Sequence, residues 1–281
     1  MGFNVPIAQF LRHLLRTGVR FRETLTIGHQ QIYMSPGDYA RELAALGASP
    51  TAANKYADDF FRALGAESLE VADISTYEGA TLCHDLNLPL PATQRRQFDC
   101  VFDGGSLEHV FNFPQALKTC MELTRVGGHL VIVTSGNNLF GHGFYQFSPE
   151  LFFRALAPAN GFEVEALLLC DAGRWFATAD PATVGSRVEL LTRAPMLLFV
   201  AARRIANLEP FEKWPQQSDY LTAWDSTVAN AEMPAAPSLC KDFALRFRLM
   251  RRLQEHWQEW KGNRRRTLSN RAFFSPVTLQ T

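Results

Sequence analysis

Two histidines stand where proton transfer would be useful. His109 closes the run Ser106-Leu107-Glu108-His109 and is the one side chain there whose ordinary pKa suits proton transfer near neutrality. The plain alternative is a polar residue that ties its loop to a neighbour. His142 lies in Asn137–Glu150, a stretch that mixes glycines, aromatics and a histidine and is unusual for a bare connector. Here the alternative is a plain turn residue, with Phe144 and Phe147 in the core. Acids end two strand-like runs: Asp73 after Ser68–Ala72, and Asp103, followed by Gly104, after Phe98–Phe102. In nucleoside-binding α/β folds an acid after the second strand accepts hydrogen bonds from ribose hydroxyls, and a helix N-cap is its competing role. Asp103, His109 and His142 have no compact ligand spacing, so the sequence singles out no metal site. The five cysteines are scattered, odd in number and without zinc or redox spacing, which predicts reduced thiols.

These residues need a scaffold. Phe98–Phe102 is a short apolar run closed by Asp and two glycines, a buried strand entering a ligand-facing loop. Ala116, Leu117, Cys120, Leu123 and Thr124 share one helical face, so Pro114–Thr124 can lie on a sheet. Gly127-Gly128 is expected to end that helix before the β-branched run Val131-Ile132-Val133. The result is one β-α-β unit. Upstream, Glu23–Gly28 reads as a first strand, Ser35-Pro36-Gly37-Asp38 as a helix start, and Ala52–Leu64 as a second helix. Ser68–Ser75 and Ala80–His84 read as strands two and three. Downstream, Ser148-Pro149-Glu150 starts another helix, Phe162–Leu169 is a strand, and Pro195–Ala202 is apolar throughout, as a buried strand should be. The loop between these last two, holding Trp175 and Phe176, is long enough for a flap.

Phe-Asp-x-Val-Phe, Ser-Leu-Glu-His-Val, Ala-Leu and Arg-Val-Gly-Gly-His-Leu-Val-Ile, in that order over Phe98–Ser135, resemble the fourth and fifth strands of class I S-adenosylmethionine-dependent methyltransferases. The resemblance covers roughly residues 21–205. It implies an α/β, Rossmann-like, doubly wound sheet of seven strands, mostly parallel with the last antiparallel. It also implies S-adenosylmethionine as cofactor and a small-molecule or glycan acceptor methylated at oxygen or nitrogen. Gly28 is then the surviving glycine of the first loop, with His29 and Gln30 supplying polar contacts in place of bare amides. Asp73 and Ile74 meet the ribose, Asp85 and Leu86 the adenine, and Asp103 and Gly104 the cleft end of the fourth strand. Glu108 and His109 lie over the methyl-donor cleft. Tyr145 and Gln146 face the acceptor with His142, and His109 or His142 serves as base. Because the glycine loop is degenerate, the competing reading is a non-catalytic binding or assembly protein on the same fold.

The 281-residue chain is 47% hydrophobic and 20% charged with a formal net charge of zero, which gives no global pull toward nucleic acid or membrane. Val5, Ile7, Phe10, Leu11, Leu14 and Leu15 follow helical spacing interrupted by Arg12, His13 and Arg16, an amphipathic helix rather than a leader or membrane span. A cytoplasmic protein in three parts is expected: residues 1–20, 21–205 and an appendage at 206–281. The appendage carries prolines, a helix over about 238–261 and a basic end at Arg264-Arg265-Arg266. Trp257 and Trp260 on that helix are candidate contacts of a homodimer. The arginine run is better read as a solvated helix end than as a nucleic-acid site.

Overall fold

A computed structural model describes residues 2–51, 55–220 and 265–280. Asn4 caps the first helix, α1 (Val5–Arg16), by accepting a hydrogen bond from the Ile7 amide at 3.1 Å. β1 (Glu23–Ile27) follows, then α2 (Pro36–Ala44), capped by Ser35, and α3 (Asp58–Ala63). β2 (Ser68–Asp73), a two-residue β3 (Leu82–Cys83) and β4 (Phe98–Asp103) complete the first half. The second half holds α4 (Phe113–Leu123), β5 (Thr124–Asn137), α5 (Pro149–Ala155), β6 (Phe162–Asp171), β7 (Arg174–Thr178), α6 (Pro181–Val184) and β8 (Met196–Arg204). β9 (Phe274–Val277) closes the described chain.

The strands form one sheet in the order β3-β2-β1-β4-β5-β8-β6-β7-β9. β1 pairs in parallel with β2 on one side and β4 on the other, so the winding reverses between β1 and β4. In open α/β sheets that reversal leaves a crevice beyond the strands' carboxyl ends. β8 lies antiparallel between β5 and β6. The core strands are apolar on both faces because both faces are covered. Leu130 and Ile132 of β5 join the core with Leu117 and Phe152, while Val131 and Val133 point to the other side, among Phe10, Phe60 and Phe199. This is the α/β, Rossmann-like architecture expected.

The strand count among the described residues differs: nine, not seven. The stretch expected as a flap is β7, which folds back on β6 through a two-residue turn, Ala172-Gly173, both at positive φ. Such turns match the twist of a hairpin, but Ala172 lacks the Asn, Asp or Gly that announces one in sequence. Trp175 and Phe176 are therefore core residues. β9 adds to β7 as an edge strand, where Pro276 can sit without costing a central ladder hydrogen bond. β5 begins at Thr124 and runs through Gly127-Gly128, its pairing with β4 resuming beyond an irregularity at Phe98/Cys100. The expected helix at 238–261, with Trp257 and Trp260, lies outside the described residues. Arg266 forms an ion pair with Glu189 at 2.9 Å. No helix among the described residues is long and apolar enough to cross a membrane.

Candidate functional site

A cleft of about 250 Å³ opens at the carboxyl ends of β1, β2 and β4. Gly28, Asp73, Ile74, Asp85, Leu86 and His109 all line it. Six residues chosen from separate stretches of sequence thus meet around one cavity. The backbone at Gly28 has φ +69°, and a Cβ there would lie 2.9 Å from Ser106 Oγ. A side chain is excluded on both counts, so bare main chain faces the cleft. The Ser106 hydroxyl donates to the Ile27 carbonyl at 2.9 Å, and the Ser106 amide donates to Asp103 Oδ1 at 2.8 Å, tying the β1 and β4 loops together.

On the opposite wall the Ile74 amide donates to Asp73 Oδ1 at 2.6 Å, and among the described residues Oδ2 has no hydrogen bond. Asp85 accepts from the Asn87 backbone amide at 2.9 Å and from its side-chain amide at 2.8 Å. Those donors, the backbone amide first, hold the Asp85 carboxyl below the ordinary carboxylate range. Asn87 in turn accepts from the Asn112 amide at 2.9 Å, anchoring this wall to the start of α4.

His29, Gln30, Asp103 and Gly104 do not line the cleft. His29 stacks on Tyr56 at 3.5 Å between ring centroids, and its two nitrogens meet the Glu78 carbonyl at 2.6 Å and Asp58 Oδ1 at 2.9 Å. Gln30 is buried and donates to the carbonyls of Ile27 and Gly28 at 2.9 and 3.0 Å. Its Oε1 lies only 2.1 Å from where a Cβ on residue 104 would stand, so Gly104 makes room for Gln30. Asp103 is fully buried; burial first, and the neighbouring Glu108 charge second, push its carboxyl well above the ordinary range. These side chains shape the loops, which leaves the cleft the backbone.

Beside the cleft stand Glu108, His109 and His142. Glu108 is fully buried in a short helical turn, Leu107–His109, and Thr134 of β5 donates to its Oε2 at 2.9 Å. Its carbonyl accepts from the amides of Phe144 and Tyr145 at 2.8 and 3.3 Å, which draws the loop after β5 over it. His142 Nε2 lies 3.3 Å from Glu108 Oε1, within ion-pair distance but not aligned as a hydrogen bond, and both atoms are buried without a hydrogen-bond partner. His109 meets His142 edge to face, 5.0 Å between centroids. Partial burial lowers the pKa of His109, the charge of Glu108 opposing it. Tyr145 and Gln146 hold the loop's shape: the Tyr145 hydroxyl donates to the Phe111 carbonyl at 2.6 Å, and Gln146 Oε1 accepts from the Leu139 amide at 2.7 Å.

Sequence reasoning missed Ser106, His84 and Asn87 in the cleft wall and Thr134 behind Glu108. Only Ser106 had a local signal, three residues after Asp103, where an Asp commonly accepts a backbone amide. A larger groove of about 830 Å³, lined by Trp175, Arg174 and Leu279, holds none of the candidate residues.

No family model matches the chain, and no curated protein matches it. Solved structures similar to it include the N-methyltransferase NodS from Bradyrhizobium japonicum WM9 in complex with S-adenosyl-L-homocysteine, at 14% identity over 70% of this chain and 85% of that one, TM-score 0.39. Another is an S-adenosylmethionine-dependent methyltransferase from Mesorhizobium loti, 15% identical over 68% of this chain and 95% of that one, TM-score 0.38. A methyltransferase described as putative, from Bacillus halodurans C-125, is 12% identical over 70% of this chain and 99% of that one, TM-score 0.40. Likeness at this level carries no argument about activity, which has to come from the cleft's own residues.

Proposed function

We propose that this protein is an S-adenosylmethionine-dependent methyltransferase acting at oxygen or nitrogen of a small-molecule or glycan acceptor. The observation that carries the reading is the single cleft at the β1/β4 reversal that collects Gly28, Asp73, Ile74, Asp85 and Leu86 with His109 at its wall. The cleft's residues fit an adenosyl group. Asp73 Oδ2 is a spare acceptor for a ribose hydroxyl, and Ile74 and Leu86 offer apolar surface to a base. The ionised Asp85, pinned by Asn87, accepts from an exocyclic amine. The bare backbone at Gly28 admits the aminoacyl portion. When bound, the cofactor supplies an electrophilic methyl group. The protein's part is to hold an acceptor in line with it and to take away a proton.

His109 suits the second task, because burial favours its neutral, proton-accepting form near neutral pH. His142, beside it, can relay that proton toward Glu108. Phe111 and Phe144, both exposed and 5.8 Å apart edge to face, flank the two histidines and offer an acceptor an apolar surface. A cytoplasmic location and a homodimer belong to the same reading.

Calorimetric titration with S-adenosylmethionine and S-adenosylhomocysteine tests the cleft directly. Micromolar binding is expected, weakened roughly tenfold to hundredfold in Asp73→Ala, the loss of one or two hydrogen bonds to a charged acceptor. Folded protein that binds neither ligand would instead support the non-catalytic binding or assembly role. With a turned-over acceptor in hand, His109→Ala and His142→Ala should lower turnover and leave cofactor affinity unchanged.

A further inference from the structure

Glu108, His109 and His142 come from two loops, yet one ligand-capable atom from each lies within 4.8 Å of the others. The geometry points to a binding site for a divalent transition-metal ion held by Glu108 Oε1, His142 Nε2 and one ring nitrogen of His109. The site stands independently of the methyl-transfer reading.

Four observations converge on it. First, Glu108 Oε1 and His142 Nε2 are both buried, both without a hydrogen-bond partner, and face each other at 3.3 Å. Two orphaned buried polar atoms are costly unless a third group satisfies them. An ion with bonds of about 2.0–2.2 Å to nitrogen and oxygen fits between donors about 3–3.5 Å apart. His109, the exposed member, completes the set with a ring nitrogen within 4.8 Å of the other two atoms.

Second, Glu108 is held from behind. Thr134 occupies its Oε2 at 2.9 Å, which orients the carboxylate and leaves Oε1 as the free donor. Third, the two loops are joined by main chain rather than by the ligands themselves. The Glu108 carbonyl receives the Phe144 and Tyr145 amides, and Gly143, at φ +71°, approaches so closely that a Cβ there would lie 2.7 Å from that carbonyl. The site is thus assembled before any ion arrives.

Fourth, two imidazoles and one carboxylate suit borderline transition metals such as Zn²⁺ or Co²⁺ far better than Mg²⁺ or Ca²⁺, which prefer oxygen. Three protein ligands leave at least one coordination position open, as in metal centres that do chemistry rather than hold structure. His109 also lines the cleft, so that position lies at its edge. In the methyl-transfer reading the ion would hold an acceptor oxygen and lower its pKa. With no ion bound, the same two histidines are free to carry the acceptor's proton, the role given them above.

The test uses the full chain, stripped with EDTA and titrated with Co²⁺ followed by absorption and with Zn²⁺ followed by calorimetry, without any adenosyl ligand. Saturable binding at one ion per chain is expected. Affinity should fall roughly a hundredfold or more in Glu108→Gln and His142→Ala, and by about 10–100-fold in Thr134→Val, which touches only the carboxylate behind the site. Should Glu108→Gln unfold, His109→Ala, on the exposed side, must still weaken binding. Glu165→Gln, paired with His129 on neighbouring strands, should leave affinity unchanged. Absence of saturable binding by folded protein, or binding indifferent to all four site variants, overturns the proposal. A separate titration with S-adenosylhomocysteine after EDTA treatment keeps failure of the metal site distinct from failure of the cofactor cleft.

Discussion

At the scale of single residues, groups that line the cleft separate from groups that shape the loops around it. Asp73 and Asp85 lie half-buried at the cleft wall; Asp103, at the equivalent end of β4, is buried entirely. Burial and the nearby Glu108 raise its pKa, so the folded state holds a proton that the unfolded chain has already lost above about pH 4. Its contribution to stability is complete below that unfolded value and is lost as pH rises toward the folded one. Asp103→Asn keeps an acceptor for the Ser106 amide and removes the titration. Its melting temperature, relative to wild type and with EDTA present, should therefore become more favourable between pH 5 and pH 8. A difference that stays constant over this range would show that Asp103 is not protonated in the folded state.

At the scale of elements, α1 and α2 are joined through a buried ion pair. Arg12 and Glu42 lie 3.1 Å apart with side chains only 8% and 5% exposed, and Arg12 Nε and Glu42 Oε2 lack hydrogen-bond partners. Burial raises the Glu42 pKa, with Arg12 opposing it, so desolvation outweighs the attraction. Removing one partner leaves the other buried and alone: Glu42→Ala should cost about 3–5 kcal/mol in chemical denaturation. Arg12→Met combined with Glu42→Leu should cost nothing or stabilise the fold. If the double variant is as unstable as the single, the pair contributes more than its desolvation costs. The same helices support the cleft indirectly, since Phe3, which leads into α1, exchanges main-chain hydrogen bonds with Gln31 and Tyr33 in the loop after Gly28.

At the scale of the whole molecule, the sheet recruits a strand from the far end of the chain. β9 pairs with β7, and Phe274, 1% exposed, packs into the same core as α4 and α5. Phe274→Ala should destabilise the protein by about 3–5 kcal/mol, the range for truncating a buried phenylalanine. An effect under about 1 kcal/mol in urea unfolding would mean that β9 is a loosely docked edge. The cleft lies at the opposite half of the sheet, beside β1, β2 and β4, so a ligand-affinity change in this variant is not expected.

Much of this protein was legible in its sequence because local pattern dictates it. Continuous apolar runs made the central strands predictable, the Ser35-Pro36 start fixed α2, and Asp or Gly at strand ends marked where a cleft must lie. β7 was not legible: its stretch read as a flap, and pairing with β6 through the Ala172-Gly173 turn made it a strand. Other features depend on residues far apart in sequence. β9 exists because β7 leaves an edge to pair, which Phe274–Val277 alone does not announce. Gln30 reads as a ligand contact until Gly104, from another strand, gives it space to turn inward. Glu108 and His142 are 34 positions apart, and no spacing rule joins them. The Phe144 and Tyr145 amides on the Glu108 carbonyl, with the Tyr145 hydroxyl on the Phe111 carbonyl, bring them face to face. The sequence by itself determined the central strands and the chemical types at their ends. Tertiary packing decided which of those side chains a ligand can reach, because that depends on partners the local pattern does not contain.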